Sequence, residues 1–534
     1  MNGQQQRQAE IVKAVALKAQ NQPLLGSGLW FHNDIRDNYY YASYLFAAAV
    51  ESPAILHDPA DAKKKAESVL AKVLQLQQND PDLPLYGHFP LNLNPSPEQA
   101  RPHELPVELM GSLMAYFYNR YERELSPELR EAFETALRHI YLGGFFRKPL
   151  QMFNHHEAKY TAAKIIFGQR YEDRELLEDG INSLQKTIVR VTTQGMPEYG
   201  ALPWFWHWVQ AFTCAWELTS DNSLKQHLAE LLDYLWNERS LFYLKGAWVG
   251  AHSRVWPHDA PADRNVLHDY VQFGDFPLGE DMPRTEYAGF FCYPAPEAAR
   301  QRALQRQEPS EVHKQIVKID TGEEIPLHSY VYVTKDFASG GIWERVKEFD
   351  NEQIRWLVSF PVTADNSVNQ LTFFHPGEGY RDGDPRHQSE YAQVLYVKNR
   401  ILTVFPVPED NPHQEIIGIL PKGTWIMEEA GLFGQVQNCY VSILLKGRYS
   451  VEELDTYNQV RLHGEPAAIA VEVIGLEEAK LLGILNVSSL AEQFDPTSFT
   501  MELLGSQKGT ITYRGISSQD ILELTSGLYS ANPK

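Results

Sequence analysis

Through roughly the first three hundred positions, apolar residues recur at three- and four-residue spacing, the period of helices that bury one face. The pattern predicts helices over about 4–20, 37–51, 61–79, 104–123, 127–141, 155–168, 173–191, 203–218 and 223–238. They fall into two kinds. VELMGSLMAYFYNRY and WFWHWVQAFTCAWEL are apolar nearly all round, whereas 61–79 and 223–238 carry a charged face. This alternation predicts helical hairpins in an inner and an outer layer, an α/α toroid; a plain bundle or a solenoid has the same periodicity, and no sequence repeat separates them. From about 316 the period becomes two, in SYVYVTKDF, QIRWLVSFPVT, QLTFFHP, AQVLYVKNRILTVFPV, IIGILP, TWIMEEA, YVSILLKGRYS and AAIAVEVIG. Gly, Pro, Asn and Asp punctuate these runs, as in an antiparallel β-sandwich. The fold class expected is therefore α+β and multidomain: a toroid over 1–300, a charged linker over 301–315 and a sandwich over 316–534.

Composition and charge narrow the setting. With 534 residues the chain exceeds one ordinary domain, and 43% hydrophobic and 12% aromatic content supports large cores. The opening MNGQQQRQAEIVKAV has neither a basic nor an apolar signal region, and no apolar run reaches the ~18 residues of a membrane span. The expectation is a cytoplasmic protein with no membrane partner. Cys214, Cys292 and Cys439 are far apart in sequence and read as reduced, mostly buried thiols. A net charge of −21 speaks against nucleic acid and requires any anionic ligand to meet a local basic cluster.

The connections that precede the apolar helices carry the candidate chemistry. GLWFHNDIRDNYYYAS supplies Trp30, His32, Asp34 and Arg36; LYGHFPLNLN supplies His88; FNHHE supplies Asn154, His155, His156 and Glu157. MPEYGALPWFWHW brings Glu198, Tyr199, Trp204 and His207, and GAWVGAHSRVWPHD brings His252, Arg254, Trp256 and His258. In a toroid, inner-helix starts share one rim, so these residues would converge on a cleft. Helix starts favour anionic groups, aromatic faces stack on sugar rings, and amides and imidazoles bond hydroxyls. Each feature also has a plain structural reading. Asn154 is a natural N-cap, Glu157 a first-turn partner of Lys159 or the helix dipole, Tyr199 a turn tyrosine, and Trp204, Trp206 and Trp208 core packing. No HExxH, phosphate loop, dinucleotide fingerprint or nucleophile elbow is present. No cofactor is required by the sequence. A divalent cation, zinc or calcium, has one candidate position, the loop with His375, His387 and Glu390.

Asn154-His155-x-Glu157 followed by AKYTAAKIIFG resembles the heparinase II/III-like proteins, and is similar to the inner-helix start of chondroitin AC and hyaluronate lyases. SYVYVTKDFASGGIW, QIRWLVSF and QVLYVKNRILTVF resemble the sandwich of the same proteins. The resemblance implies a lyase that cleaves acidic, uronate-containing carbohydrate by β-elimination. The C5 proton is weakly acidic, so its removal needs a group that neutralises the neighbouring carboxylate, a base, and an acid for the leaving oxygen. It implies Asn154, with His155, at the carboxylate, Tyr199 and His252 in proton transfer, and Arg254 as charge stabiliser. Trp30, His32, Arg36, His88, Trp204, His207 and Trp256 would bind the sugar chain. Two other readings stand beside this one. A glycoside hydrolase would need two carboxylates about 5–5.5 or about 6.5–9.5 Å apart, from among Asp34, Asp37, Glu157, Glu198, Asp259 and Asp263. A non-catalytic carbohydrate-binding protein would need neither.

Overall fold

The computed structural model describes residues 2–320, 322–346, 353–365, 367–382, 384–429, 431–503 and 509–526. Among the described residues, nine long helices come first: α1 (Gly3–Asn21), α2 (Ile35–Glu51), α3 (Pro59–Gln75), α4 (Leu105–Tyr121), α5 (Pro127–Gly143), α6 (His155–Arg170), α7 (Arg174–Gln194), α8 (Leu202–Leu218) and α9 (Asn222–Leu241). Their order of exposure follows the apolar pattern. α2, α4, α6 and α8 are buried along most of their length and touch one another in turn. α3, α5, α7 and α9 show charged faces to solvent and back the inner four. This is the two-layered α/α toroid. Asp34, Asp58, Asn154, Asp173 and Asp221 cap helix starts with side-chain oxygens that accept backbone N–H groups.

The stretch 242–296 departs from the expectation of an almost wholly helical first half. It holds only β3 (Tyr243–Leu244) paired with β4 (Ala247–Trp248) and the single long turn α10 (Leu267–Gln272); an earlier pair, β1 (Phe89–Pro90) and β2 (Pro102–His103), is equally short. Prolines 257, 261, 277, 283, 294 and 296 explain the break, because each removes a helix donor and clashes with the preceding turn. Arg239 pins the segment from inside: its fully buried guanidinium grips Asp269 at 2.6 Å and donates to carbonyls of Gly246 and Ala247.

After α11 (Glu297–Leu304), the strands are β5 (Ser310–Asp320), β6 (Glu323–Val333), β7 (Ala338–Ile342), β8 (Trp356–Ser359), β9 (Gln370–Phe374), β10 (Gln393–Val397), β11 (Arg400–Phe405), β12 (Glu415–Pro421), β13 (Thr424–Glu428), β14 (Gly431–Val436), β15 (Cys439–Glu453) and β16 (Tyr457–Gly475). They run in the order β13-β14-β15-β16-β12-β9-β8-β7-β6-β5, with β11 and then β10 also attached to β16. All these pairings are antiparallel. β16 gives its first half to β12 and its second to β11, so one long strand serves both layers of the sandwich. Across from this changeover, β15 carries a bulge between Lys446 and Arg448. Gly447 is required there: its φ is 137°, and a Cβ would stand 2.3 Å from the carbonyl oxygen of His463. Tyr330, Trp356, Val358, Phe373, Tyr396 and Val471 are among the residues between the layers.

Beyond β16 the chain is not pure sandwich. Two short helices, α12 (Leu476–Leu481) and α13 (Val487–Glu492), precede a small sheet of β17 (Phe499–Leu503), β18 (Gly509–Arg514) and β19 (Ile521–Thr525), packed on the outer side of β11, β14 and β15. The period-two reading missed those helices because each is barely two turns long. The toroid and the sandwich share a buried seam. Val312, Val331, Val333, Ala338 and Val362 belong to the helical core cluster, His252 forms a backbone bridge with Ile354, and Asp263 is held by Asn369 and Gln370. Among the described residues, no helix is long and apolar enough to cross a membrane.

Candidate active site

The FNHHE stretch begins α6. Asn154 Oδ1 accepts the amide N–H groups of His156 and Glu157 at 3.1 and 3.2 Å, capping the helix. Glu157 does not pair with Lys159; its carboxylate folds back to accept the amides of Gln151, Met152 and Phe153. The incoming loop is thereby fixed against the helix start, and His155 is turned inward, 1% exposed. Its Nδ1 lies 2.5 Å from Glu198 Oε1, and Glu198 Oε2 accepts the indole N–H of Trp208 at 2.9 Å. The imidazole stacks on Trp204, ring centres 4.3 Å apart and planes 14° apart. The Arg254 guanidinium also lies over the Trp204 ring, 5.1 Å from its centre, and Trp256 meets that ring edge-on at 5.9 Å.

The charge states follow from these contacts. Burial works against ionisation of Glu198, but the His155 ring, the Trp208 N–H and Arg254 outweigh it and hold the carboxyl well below its usual range. Burial also opposes charge on His155, and the neighbouring Glu198 recovers only part of that; its pKa falls to about 4. At neutral pH the pair is a carboxylate and a neutral imidazole. Because Nδ1 faces the carboxylate it carries the proton, which leaves the lone pair on Nε2.

Three charged groups surround this pair. His207 Nε2 accepts from Arg284 at 3.2 Å, and Arg284 is bound to the buried, ionised Glu286 at 2.9 Å. Lys159 pairs with Glu108 at 2.6 Å, and His156 and Tyr160 donate to the same carboxylate at 2.7 Å. Arg36 is forked onto Asp34 at the start of α2, within electrostatic reach of Glu286. Asp37 is raised to about 7, first by burial and then by Asp34. Tyr40 is pushed well above its ordinary value by burial and then by Glu286, so it keeps its proton.

The structure thus gathers His155, Trp204, His207, Arg254 and Trp256, with Asn154 at the mouth of the same helix. Other sequence candidates lie elsewhere. Tyr199 packs in the seam with Ala251, Ile316, Leu327 and Ile342, and its hydroxyl accepts from Gln353 at 2.8 Å. His252 is fully buried, its Nδ1 bonded to the Gly250 carbonyl and its backbone paired with Ile354. Trp30 is a core residue whose indole donates to the Gln22 carbonyl. His32 bonds Ser27, and His88 sits against Tyr86 and Phe145. The suggested cation position is closed, since His375 spends Nδ1 on Ser389 and Nε2 on the His413 carbonyl, each at 2.7 Å. Among the described residues, no group of three or more His, Cys, Asp or Glu is placed to hold a metal ion. Arg284, Glu286 and the Lys159–Glu108 pair were not anticipated. Their only trace in the sequence is the alternation of Arg284 and Glu286 in PRTEY and the i, i+2 placement of Lys159 after Glu157.

No family model and no curated protein matches this chain. Solved structures do. A Streptomyces coelicolor chondroitin AC lyase in complex with chondroitin sulphate superposes with a TM-score of 0.50 at 9% identity, over 95% of this chain and 83% of the other. A chondroitinase AC lyase solved with oligosaccharides gives 0.48 at 8% identity over 96% and 88%, and heparinase III gives 0.47 at 10% identity over 92% and 82%. At 9% identity the first of these matches establishes the fold, the toroid-plus-sandwich architecture of these polysaccharide lyases.

Proposed function

We propose that the chain is a polysaccharide lyase that cleaves acidic, uronate-containing glycans by β-elimination, with His155 as the base. The observation that carries this reading is the His155–Glu198 pair, whose imidazole lies flat on an indole that Arg254 also covers. The lone pair on Nε2 takes the C5 proton. The C5–H electrons form the C4–C5 double bond as the C4–O4 bond breaks, and Glu198 stabilises the imidazolium that results. Arg254 and the Asn154 amide meet the uronate carboxylate, lowering the cost of charge that builds on it. Trp256, 38% exposed, offers a sugar-stacking face at the rim.

A hydrolase on the same framework draws support from Asp37, whose carboxyl holds a proton near neutrality while Glu286 stays ionised. One experiment separates the readings. The protein is incubated with chondroitin sulphate, heparan sulphate, hyaluronan and alginate, and both reducing ends and the ultraviolet absorbance of an unsaturated uronide are followed. Absorbance that grows with reducing ends, and is abolished in His155→Ala, is the result expected. New reducing ends without absorbance favour the hydrolase, and neither signal on any glycan removes catalysis.

A further inference from the structure

A second histidine–carboxyl pair stands at the other end of the same row of rings. His155 stacks on Trp204, Trp204 meets Trp256 edge-on, and Trp256 stacks on His258 with ring centres 5.9 Å apart and planes 25° apart. Behind His258 lies Asp259, 1% exposed, its Oδ2 3.8 Å from His258 Nε2. That nitrogen and both carboxyl oxygens are buried and make no hydrogen bond to any described residue. Buried polar atoms left unpaired in this way are rare, and two such groups facing each other call for a role. The His258 side chain is 19% exposed, so its inner edge faces Asp259 while part of the ring reaches solvent beside Trp256.

The two carboxyls differ because their neighbours do. Glu198 receives N–H groups from His155 and Trp208. The donors near Asp259 are taken by Asp263, which accepts from the Trp248 amide, Asn369 and Gln370. At Asp259, burial first and then the Asp263 carboxyl favour the proton, and they outweigh Arg284 and the Trp256 backbone, which oppose it. Around His258, burial and then Arg284 disfavour the imidazolium, with Arg264 and Arg386 adding to the effect and Glu286 opposing it. One end of the row is therefore a neutral base on a carboxylate, and the other a neutral imidazole on a carboxylic acid.

We propose that His258, backed by Asp259, is the proton donor to the leaving O4; this rests on the lyase reading above. As C4–O4 breaks, Nδ1–H of His258 gives its proton to O4, and the Asp259 O–H passes its own to Nε2. The 3.8 Å separation closes on substrate binding, as catalytic hydrogen bonds commonly do. His155 holds the C5 proton, Asp259 ends as carboxylate and the His258 proton sits on Nε2; a proton carried by water from His155 to His258 Nδ1, with Nε2–H returned to Asp259, restores all three.

The test uses the full chain and two substrates, a 4-O-linked uronide and its 4-deoxy-4-fluoro counterpart, whose fluoride leaves without a proton. His258→Gln and Asp259→Asn should lower turnover of the O-linked uronide by about 10²–10⁴-fold, the usual worth of a placed proton-transfer group, and change the fluoride by no more than a few fold. His155→Ala should lose both. Equal losses on the two substrates, or none, overturn the proposal. A wild type inactive on both removes the lyase reading and this inference with it. Should Asp259→Asn fail to fold, His258→Gln, at a partly exposed position, decides alone.

Discussion

Replacing Glu198 by Gln changes one atom and tests the centre of the site. The carboxylate accepts two N–H groups, from His155 at 2.5 Å and Trp208 at 2.9 Å. An amide accepts at one end only. If His155 kept its proton on Nδ1, one buried donor would face the amide N–H, at a cost of about 1–3 kcal/mol. A cheaper arrangement exists: Trp208 donates to the amide oxygen, the amide N–H donates to Nδ1, and the imidazole proton moves to Nε2. The contacts to both His155 and Trp208 are then kept, so the stability loss should stay at about 1 kcal/mol, but the lone pair sits on the wrong nitrogen. Such a tautomer trap lowers turnover by about 10⁴-fold where it has been engineered in a histidine–carboxylate pair, and a similar loss is expected here. Two measurements check the argument separately. Proton–nitrogen correlation of the His155 ring should show Nδ1 protonated in the wild type and Nε2 protonated in Glu198→Gln, with or without a known substrate. Turnover of a uronide follows independently. A variant that keeps Nδ1 protonated and retains turnover within tenfold would refute the assigned tautomer and the role of His155 as base.

Asn154→Ala should lower stability by about 0.5–2 kcal/mol through the lost cap, and also cut turnover if the amide meets the uronate; unchanged melting would contradict the capping bonds. Tyr199→Phe should leave turnover nearly intact and cost about 1 kcal/mol, since the hydroxyl pairs with Gln353 in the seam; loss of turnover with full stability would return Tyr199 to the mechanism. His252 is depressed to about 4 by burial, against an ordinary 6.5. The unfolded chain therefore binds the extra proton first as pH falls, and stability present at neutral pH is lost through the window from 6.5 to 4. The stability advantage of wild type over His252→Asn should shrink by about 2 kcal/mol between pH 7 and pH 5; an advantage that grows on acidification would refute a neutral buried His252.

The layering of the helical half was readable because burial leaves a mark on every turn. WFWHWVQAFTCAWEL has no polar stripe and became an inner helix, whereas the charged face of 61–79 became the outside of α3. The segment 242–296 was harder, since its shape comes from Arg239 reaching Asp269 thirty positions on rather than from any local period. At the site, Asn-His-His-Glu announced a helix start that bears candidate chemistry, but not the partners of its histidines. That His155 would meet Glu198, and Trp204 would carry both His155 and Arg254, depends on three loops arriving at one place. Trp30 and Trp204 look alike in sequence, each an aromatic ahead of an apolar helix. Only the direction of the ring sorts them, one toward the Gln22 carbonyl and the core, the other toward the cleft.

The valines and alanine that β5, β6, β7 and the strand-edge loop lend to the helical core bear on how this chain can be divided. A gene cut after α11 would release a helical body whose apolar underside had lost Val312, Val331, Val333, Ala338 and Val362 at once. Such a fragment should aggregate or borrow a partner. Swapping the sandwich for that of a distant relative should fail for the same reason unless the seam residues travel with it. Substitutions along the seam therefore have to be matched on both halves, and variation in specificity is expected to accumulate in the rim loops, which can change without reopening it.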